Sequence, residues 1–195
     1  STGMQPLGDF EGGQFQSRAL AVSAQGGAIV GVGESANGTE AFRWSANEGI
    51  VGLGDLAGGN FYSEANDISD DGMTIVGTSS SAMGPRGEAF RWTPTDGLVG
   101  LGDLPGGEFY SQATAVSDNG QKVVGGSFGP DYPNGTPRFR SIVWTVAGGM
   151  REFGEEGTAT LPTSMGAQDV SSDGKLVVGQ MVFDSYPQAY QFRSQ

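Results

Sequence analysis

The side chains in this chain that could do chemistry are acids and aromatics, and they return at fixed intervals. Leu7-Gly8-Asp9 recurs at Leu53-Gly54-Asp55, at Leu101-Gly102-Asp103 and, altered, at Phe153-Gly154-Glu155. Glu11, Glu108 and Glu156 join this acidic set. Carboxylates so arranged suit Ca²⁺ or a basic partner, because hard cations take carboxylate and carbonyl oxygens. The same Asp positions also suit a purely local task, accepting a backbone N–H two residues on and so closing a turn. No spacing matches the Asp-x-Asp-x-Asp-Gly calcium loop. A second pair, Asp67 and Asp169, stands where the other two copies have Ala21 and Ala115. If these positions line a central channel, the pair is a candidate site for a cation or for waters; otherwise it caps the Ser-Asp-Gly turns that follow.

The aromatic set is Phe15, Phe61-Tyr62 and Phe109-Tyr110, each just after a Gly-Gly pair or its remnant. Exposed aromatic rings beside Asp or Asn would stack on sugars and bind their hydroxyls, which is lectin chemistry. The competing reading wedges each Phe between repeats and leaves only Tyr62 and Tyr110 partly exposed. Trp44, Trp92 and Trp144 are read as core between repeats. One long loop, residues 128–140, breaks the repeat. Pro130, Pro133 and Pro137 stiffen it, while Asp131, Tyr132, Arg138 and Phe139 offer contacts, and a preordered loop binds at lower entropic cost. Tyr62, Tyr110, Asp131, Tyr132, Arg138 and Phe139 are therefore the candidate ligand-binding residues.

Catalysis is hard to assemble from this inventory. There is no Cys and no His, which removes thiol chemistry and the commonest general base. Lys122 and Lys175 are the only lysines and both flank turns. A carboxylate pair drawn from the acidic rim could in principle cleave glycans, but such a pair needs two different environments to split its pKa values. No catalytic residue is assigned and no cofactor is expected beyond a possible Ca²⁺ or other cation. A net charge of −12 argues against nucleic acid and anionic lipid as partners. No apolar run is long enough to cross a membrane as a helix, and the chain as given reads as soluble.

These residues must be held by a repeating frame. The Leu-Gly-Asp landmarks are 46, 48 and 52 residues apart. Between them Ala-Val-Ser or its variants, an Asp-Gly or Asn-Gly turn, Ile/Val-Val-Gly and an aromatic strand ending at Trp44, Trp92, Trp144 or Phe192 keep the same order. Each repeat reads as four short strands, with hairpin turns whose glycines supply positive φ. Periods of this size with four strands are the mark of propeller blades. The expectation is an all-β, four-bladed β-propeller in one domain, with repeats at about 10–55, 56–103, 104–155, and 156–195 plus 1–9. Residues 3–9 match 49–55 in position, so Met4, Pro6 and Leu7 are expected to complete the last blade and close the ring. An open solenoid is the alternative.

The order Leu-Gly-Asp-Leu-Pro-Gly-Gly, Tyr-Ser-x-Ala-x-Ala-Val-Ser, Val-Val-Gly and Glu-Ala-Phe-Arg-Trp, clearest at residues 88–126, resembles the HAF repeat of bacterial extracellular proteins. The resemblance spans essentially the whole chain. It departs at Ser141-Ile142-Val143-Trp144 and at Tyr190-Gln191-Phe192. It implies export or surface display and no defined enzymatic activity. Function is then expected in interaction or structural assembly at the cell surface, with the chain itself, a protein or a glycan as partner. The loop-rich face is the expected binding face, and an N-terminal strand that completes a blade in one chain could complete it in the next.

Overall fold

The computed structural model describes residues 3–132, 134–153, 164–183 and 186–193, and the regular elements in them are all strands. The first unit comprises β1 (Ser17–Val22), β2 (Ile29–Ser35), β3 (Gly38–Ser45) and β4 (Gly49–Gly52). The second comprises β5 (Ser63–Ile68), β6 (Ile75–Ser79), β7 (Glu88–Thr93) and β8 (Gly97–Gly100). The third comprises β9 (Ser111–Val116), β10 (Lys122–Gly129), β11 (Arg138–Thr145) and β12 (Gly149–Glu152). The last has β13 (Ser164–Val170), β14 (Leu176–Phe183) and β15 (Tyr186–Arg193). Within each unit consecutive strands pair antiparallel, as the repeat predicts.

The local chemistry explains the repeated letters. In the turn after β5, Ser69 Oγ donates to Asp71 Oδ1 at 2.6 Å and accepts from the Thr74 amide at 2.9 Å. The Met73 amide donates to the same Asp71 oxygen, and Gly72 takes a φ of 72°. Ser117 with Asn119 and Ser171 with Asp173 repeat the arrangement. The glycine of the Val-Val-Gly element has a different task. Each first strand carries a bulge at one place, so that Leu20, Asn66, Thr114 and Gln168 are skipped in the pairing. The bulge drives the preceding carbonyl against the next strand. A Cβ at Gly31, Gly77, Gly125 or Gly179 would lie 1.9, 1.9, 2.0 or 2.2 Å from that oxygen.

The units stack face to face. Ala28, Val30 and Ala41 of the first pack on Ala65, Ile68, Ile75 and Phe90 of the second. Val76 and Ala89 then meet Ala113, Val116 and Val123 of the third, and Ala115 and Val124 meet Ala167, Val170 and Val177 of the last. Each unit thus presents a forward face of small side chains and a backward face of larger ones. Full burial of each Val, Ile or Phe is worth about 1.5–3 kcal/mol before ordering costs, so these joints hold the stack together. Trp92 and Trp144 are half-buried at the first two joints, whereas Trp44, expected there too, is half-buried in the first unit but belongs to none of the three joint clusters.

The expected ring is not what forms. Among the described residues the strands make sheets of four, four and seven strands, with no closed sheet. The seven-stranded sheet is the third and last units joined by a single parallel pair, Phe139 with Ser164. Thr39 with Tyr62 is the equivalent bridge between the first two units, so this is a recurring seam. The closure by Met4, Pro6 and Leu7 also fails. Residues 3–9 form no strand, Met4 is fully exposed, and no strand among the described residues pairs with the outer edge of β15. What holds this segment is its contact with the first unit, the same contact that Gly54 and Gly102 make with the units that follow them. Gly8 accepts from Ser17 Oγ as Gly54 accepts from Ser63 and Gly102 from Ser111, and Phe10 lies edge-on to Phe42, with centroids 6.4 Å apart. The units make an open arc, with β1 exposed at one end and the forward face of β13–β15 exposed at the other.

Candidate functional site

Two regions could carry function: the face where the long loops emerge, and the open ends of the arc. On the loop face the connection entering a unit packs on that unit's own connection from its second strand to its third. The Gly-Gly pairs make this possible. A Cβ on Gly59 would sit 2.8 Å from the Ser80 carbonyl carbon, and one on Gly107 2.4 Å from the Gly129 oxygen. Leu56 and Leu104 amides donate to Ser79 and Ser127 hydroxyls across the same contact. Glu40 and Glu88 accept from the Gly54 and Gly102 amides, so a glutamate on the third strand grips the Leu-Gly-Asp turn. Of the rim acids, Asp9 caps locally, accepting from the Phe10 amide. Glu108 pairs with Arg86 at 2.8 Å, and burial followed by the charge of Glu88 pushes the Asp103 carboxyl up. Glu155 and Glu156 lie outside the described residues.

The candidate ligand-binding residues fall in three places. Tyr62 is half-buried at the first joint and donates to Glu64 Oε2 at 3.1 Å; burial and then the Glu64 charge push its phenol up. Tyr110 bonds Gln112 in the same way and packs with Phe128 and Phe139 at 5.7 and 6.0 Å. Arg138 is buried with its guanidinium 4.7 Å from the centre of the Tyr132 ring, a cation–π contact. Asp131 is exposed. Phe15 is 92% exposed, so the Phe after the first repeat's glycines does not wedge between units as the later ones do. The long loop therefore folds its aromatic rings against one another and against β10 and β11.

Asp67 and Asp169 occupy equivalent positions but have different surroundings. Asp67 Oδ1 accepts from its own Ile68 amide at 2.8 Å, and Oδ2 from the Val116 amide of the next unit at 2.8 Å. Burial pushes its carboxyl up, these two amides oppose that, and the charge of Asp169 adds to it. Asp169 Oδ1 accepts from Val170 and its side chain is exposed. Among the described residues, no three His, Cys, Asp or Glu side chains stand together as a metal site.

The joints show what the bulge is for. Its side chain reaches forward: Asn66 Nδ2 donates to the Ala113 carbonyl at 2.8 Å, and Thr114 Oγ1 to the Ala167 carbonyl at 2.9 Å. With the Asp67 bond to Val116, these make polar clips at the second and third joints beside the apolar contacts, whereas the first unit has Leu20 and Ala21 at those places. The last unit carries the same kind of clip, Gln168 and Asp169, on an exposed surface. Val178 is 39% exposed and Ala189 is exposed, whereas their counterparts Val76 and Ala89 are fully buried. At the other end Ala19 is exposed and Val22 is 58% exposed, where Val116 is 6%. Sequence reasoning picked Asp67 and Asp169 but missed Asn66, Thr114 and Gln168. Their signal was a single variable letter inside an otherwise repeated Ala-x-Ala/Asp-Val/Ile-Ser string.

Stacked four-stranded antiparallel units joined through their faces define a β-propeller-like fold. No family model and no curated protein sequence matches the chain. Among solved structures it is similar to putative TolB from Agrobacterium tumefaciens, with a TM-score of 0.56 and 15% identity over 91% of this chain and 58% of that one. It is also similar to TolB from Acinetobacter baumannii, with a TM-score of 0.52 and 16% identity over 98% of this chain and 46% of that one. At these identities the likeness concerns the fold alone. The chain spans about half the length of the structures it matches, which are larger propellers. An arc that superposes on part of a larger ring turns too little at each joint to close after its own units, which agrees with the exposed ends.

Proposed function

We propose that this chain is a non-enzymatic interaction or structural-assembly module of the bacterial cell envelope or surface. The observation that carries the reading is the fold itself: antiparallel units stacked face to face through apolar joints, with their acids spent on turns, loops and arginines. Support for the non-enzymatic part comes from the inventory: no His, no Cys, and acids that cap turns, grip loops or pair with arginines. The resemblance to HAF repeats, and the likeness in fold to TolB, support the location. Glycan binding by the loop face gains no comparable support, since Tyr110, Phe128 and Phe139 pack on one another and the Tyr62 and Tyr110 hydroxyls are already bonded. Antibody labelling of intact producing cells tests the reading. Labelling on the envelope or on material extending from it is expected; antigen found only after lysis, in the cytoplasmic fraction, would overturn it.

A further inference from the structure

We infer that Asn37 is a site of spontaneous modification, where the side chain loses ammonia and leaves aspartate or isoaspartate beside the seam between the first two units. The inference goes beyond the assembly reading and does not depend on it. The sequence holds three Asn-Gly pairs, at 37–38, 119–120 and 134–135. A glycine after Asn leaves its amide nitrogen unshielded, because it carries no Cβ. That nitrogen can attack the Asn Cγ. The N–Cγ bond forms, the Cγ–Nδ2 bond breaks, and ammonia leaves with the proton that the glycine amide gives up. Water then opens the cyclic imide at either carbonyl. One opening gives Asp, and the other gives isoAsp, whose main chain runs through Cβ and Cγ. Water is taken up, ammonia is released, and nothing is oxidised or reduced.

The fold treats the three pairs differently. Asn37, Asn119 and Asn134 are all exposed, so water reaches each of them. Asn119 Oδ1 accepts from Ser117 Oγ at 2.8 Å and from the Gln121 amide at 3.0 Å. Asn134 Oδ1 accepts from the Thr136 amide at 3.0 Å. Both carboxamides are thus tied to the residue two positions on, and swinging Cγ onto the next nitrogen breaks those bonds. Asn37 donates its own amide to Ser35 Oγ at 3.2 Å, and its carboxamide has no bond among the described residues. At about fivefold in rate per bond broken, Asn37 should react about fivefold faster than Asn134 and about 30-fold faster than Asn119. Its place gives the change a target. Asn37 lies in the turn of the β2–β3 hairpin, between paired Ser35 and Gly38. A Cβ on Gly38 would lie 3.1 Å from the Phe61 carbonyl oxygen, and Thr39 bridges Tyr62 of the second unit. Thr39 Oγ1 also donates to Glu34 at 2.8 Å. IsoAsp at position 37 adds a methylene to the main chain of this turn and a negative charge to a hairpin that already holds Glu34, which loosens the seam.

The test ages the purified 195-residue chain in mildly alkaline buffer, one sample native and one in urea. Peptide mapping by mass spectrometry follows each Asn-Gly pair, and an isoaspartate methyltransferase assay identifies the product. In the native sample Asn37 is expected to convert first, with Asn134 and Asn119 trailing by the factors above. In urea the three rates should draw together, because the fold no longer holds the other two carboxamides. A native chain in which Asn119 or Asn134 converts as fast as Asn37 overturns the inference. So does a lead of Asn37 that is as large in urea, since local sequence and not the fold would then set it. Asn37→Ser cannot react and measures the consequence. Its urea midpoint should hold on ageing while that of the parent falls. Equal midpoints once Asn37 is fully converted would overturn the claim that the change reaches the seam.

Discussion

Replacing Gly77 by Ala tests the central structural argument, that the Val-Val-Gly glycine exists to admit the bulge. The added Cβ would stand 1.9 Å from the Glu64 carbonyl oxygen and 2.9 Å from two atoms of the Phe90 ring. The first contact is with main chain, and relieving it requires more than about 1 Å of displacement in a strand whose bulge holds Asn66 and Asp67 against the third unit. Overpacking costs about 1–3 kcal/mol, and each ladder or clip hydrogen bond lost adds about 0.5–1.5 kcal/mol. A loss of about 2–5 kcal/mol is expected, or roughly 4–20 °C in Tm at about 2–4 °C per kcal/mol for a chain of this size. Urea and thermal unfolding followed by circular dichroism measure it. A second variant separates the two contacts. Gly77→Ala with Phe90→Leu removes the ring from the clash but leaves the carbonyl. If the double variant regains the stability of Phe90→Leu alone, the ring and not the bulge was the obstacle, and the reasoning is wrong. A loss under about 1 kcal/mol for Gly77→Ala would equally refute it.

Further outcomes follow from the same geometry. Ser63→Ala should cost about 2–4 kcal/mol, since its buried hydroxyl accepts from the Ala41 amide and donates to the Gly54 carbonyl, and both would be left unpaired. Ser17→Ala, at the exposed end, should change the urea midpoint little. Val116→Ala at an inner joint should cost about 1–3 kcal/mol, while Val22→Ala at the equivalent exposed position should be near neutral in a monomeric sample. The Ser69 hydroxyl and then the Met73 amide hold the Asp71 carboxyl below the ordinary aspartate range. A carboxyl depressed by folding lends stability above its unfolded pKa and loses it as pH falls through the folded one, so a modest acid-induced loss is expected below about pH 4. Asp71→Asn should keep the turn, as Asn119 does in the third unit, and flatten that acid limb when urea midpoints at pH 7 and pH 3 are compared.

Most of the units were legible one letter at a time, because their chemistry is local. A Ser two residues before an Asp or Asn, with a Gly next, closes its turn within a handful of bonds. Ile and Val before a Gly, and a Glu before Ala-Phe-Arg-Trp, mark the strands that follow. The repeat therefore predicted antiparallel strands in sequence order, and the loops on one face, from residues that bond to near neighbours. What the letters left open lies at longer range. Asn66 and Thr114 look like unremarkable surface residues until the bulge turns them towards the next unit. Tyr132, Arg138 and Phe139 look like an exposed loop until the loop folds on Tyr110 and β10.

The match between residues 3–9 and 49–55 predicted that the N-terminal segment completes the last unit, and the structure does not bear that out. The match did not determine where the ring closes, because closure depends on the angle turned at each joint. That angle comes from how small forward faces such as Val30 and Ala41 seat larger backward ones such as Ile75 and Phe90, summed over three joints. The turn at each joint, a quarter circle in a ring of four and less in any larger ring, is invisible in any local motif. Only the packed structure carried that sum, and with it the open faces at both ends.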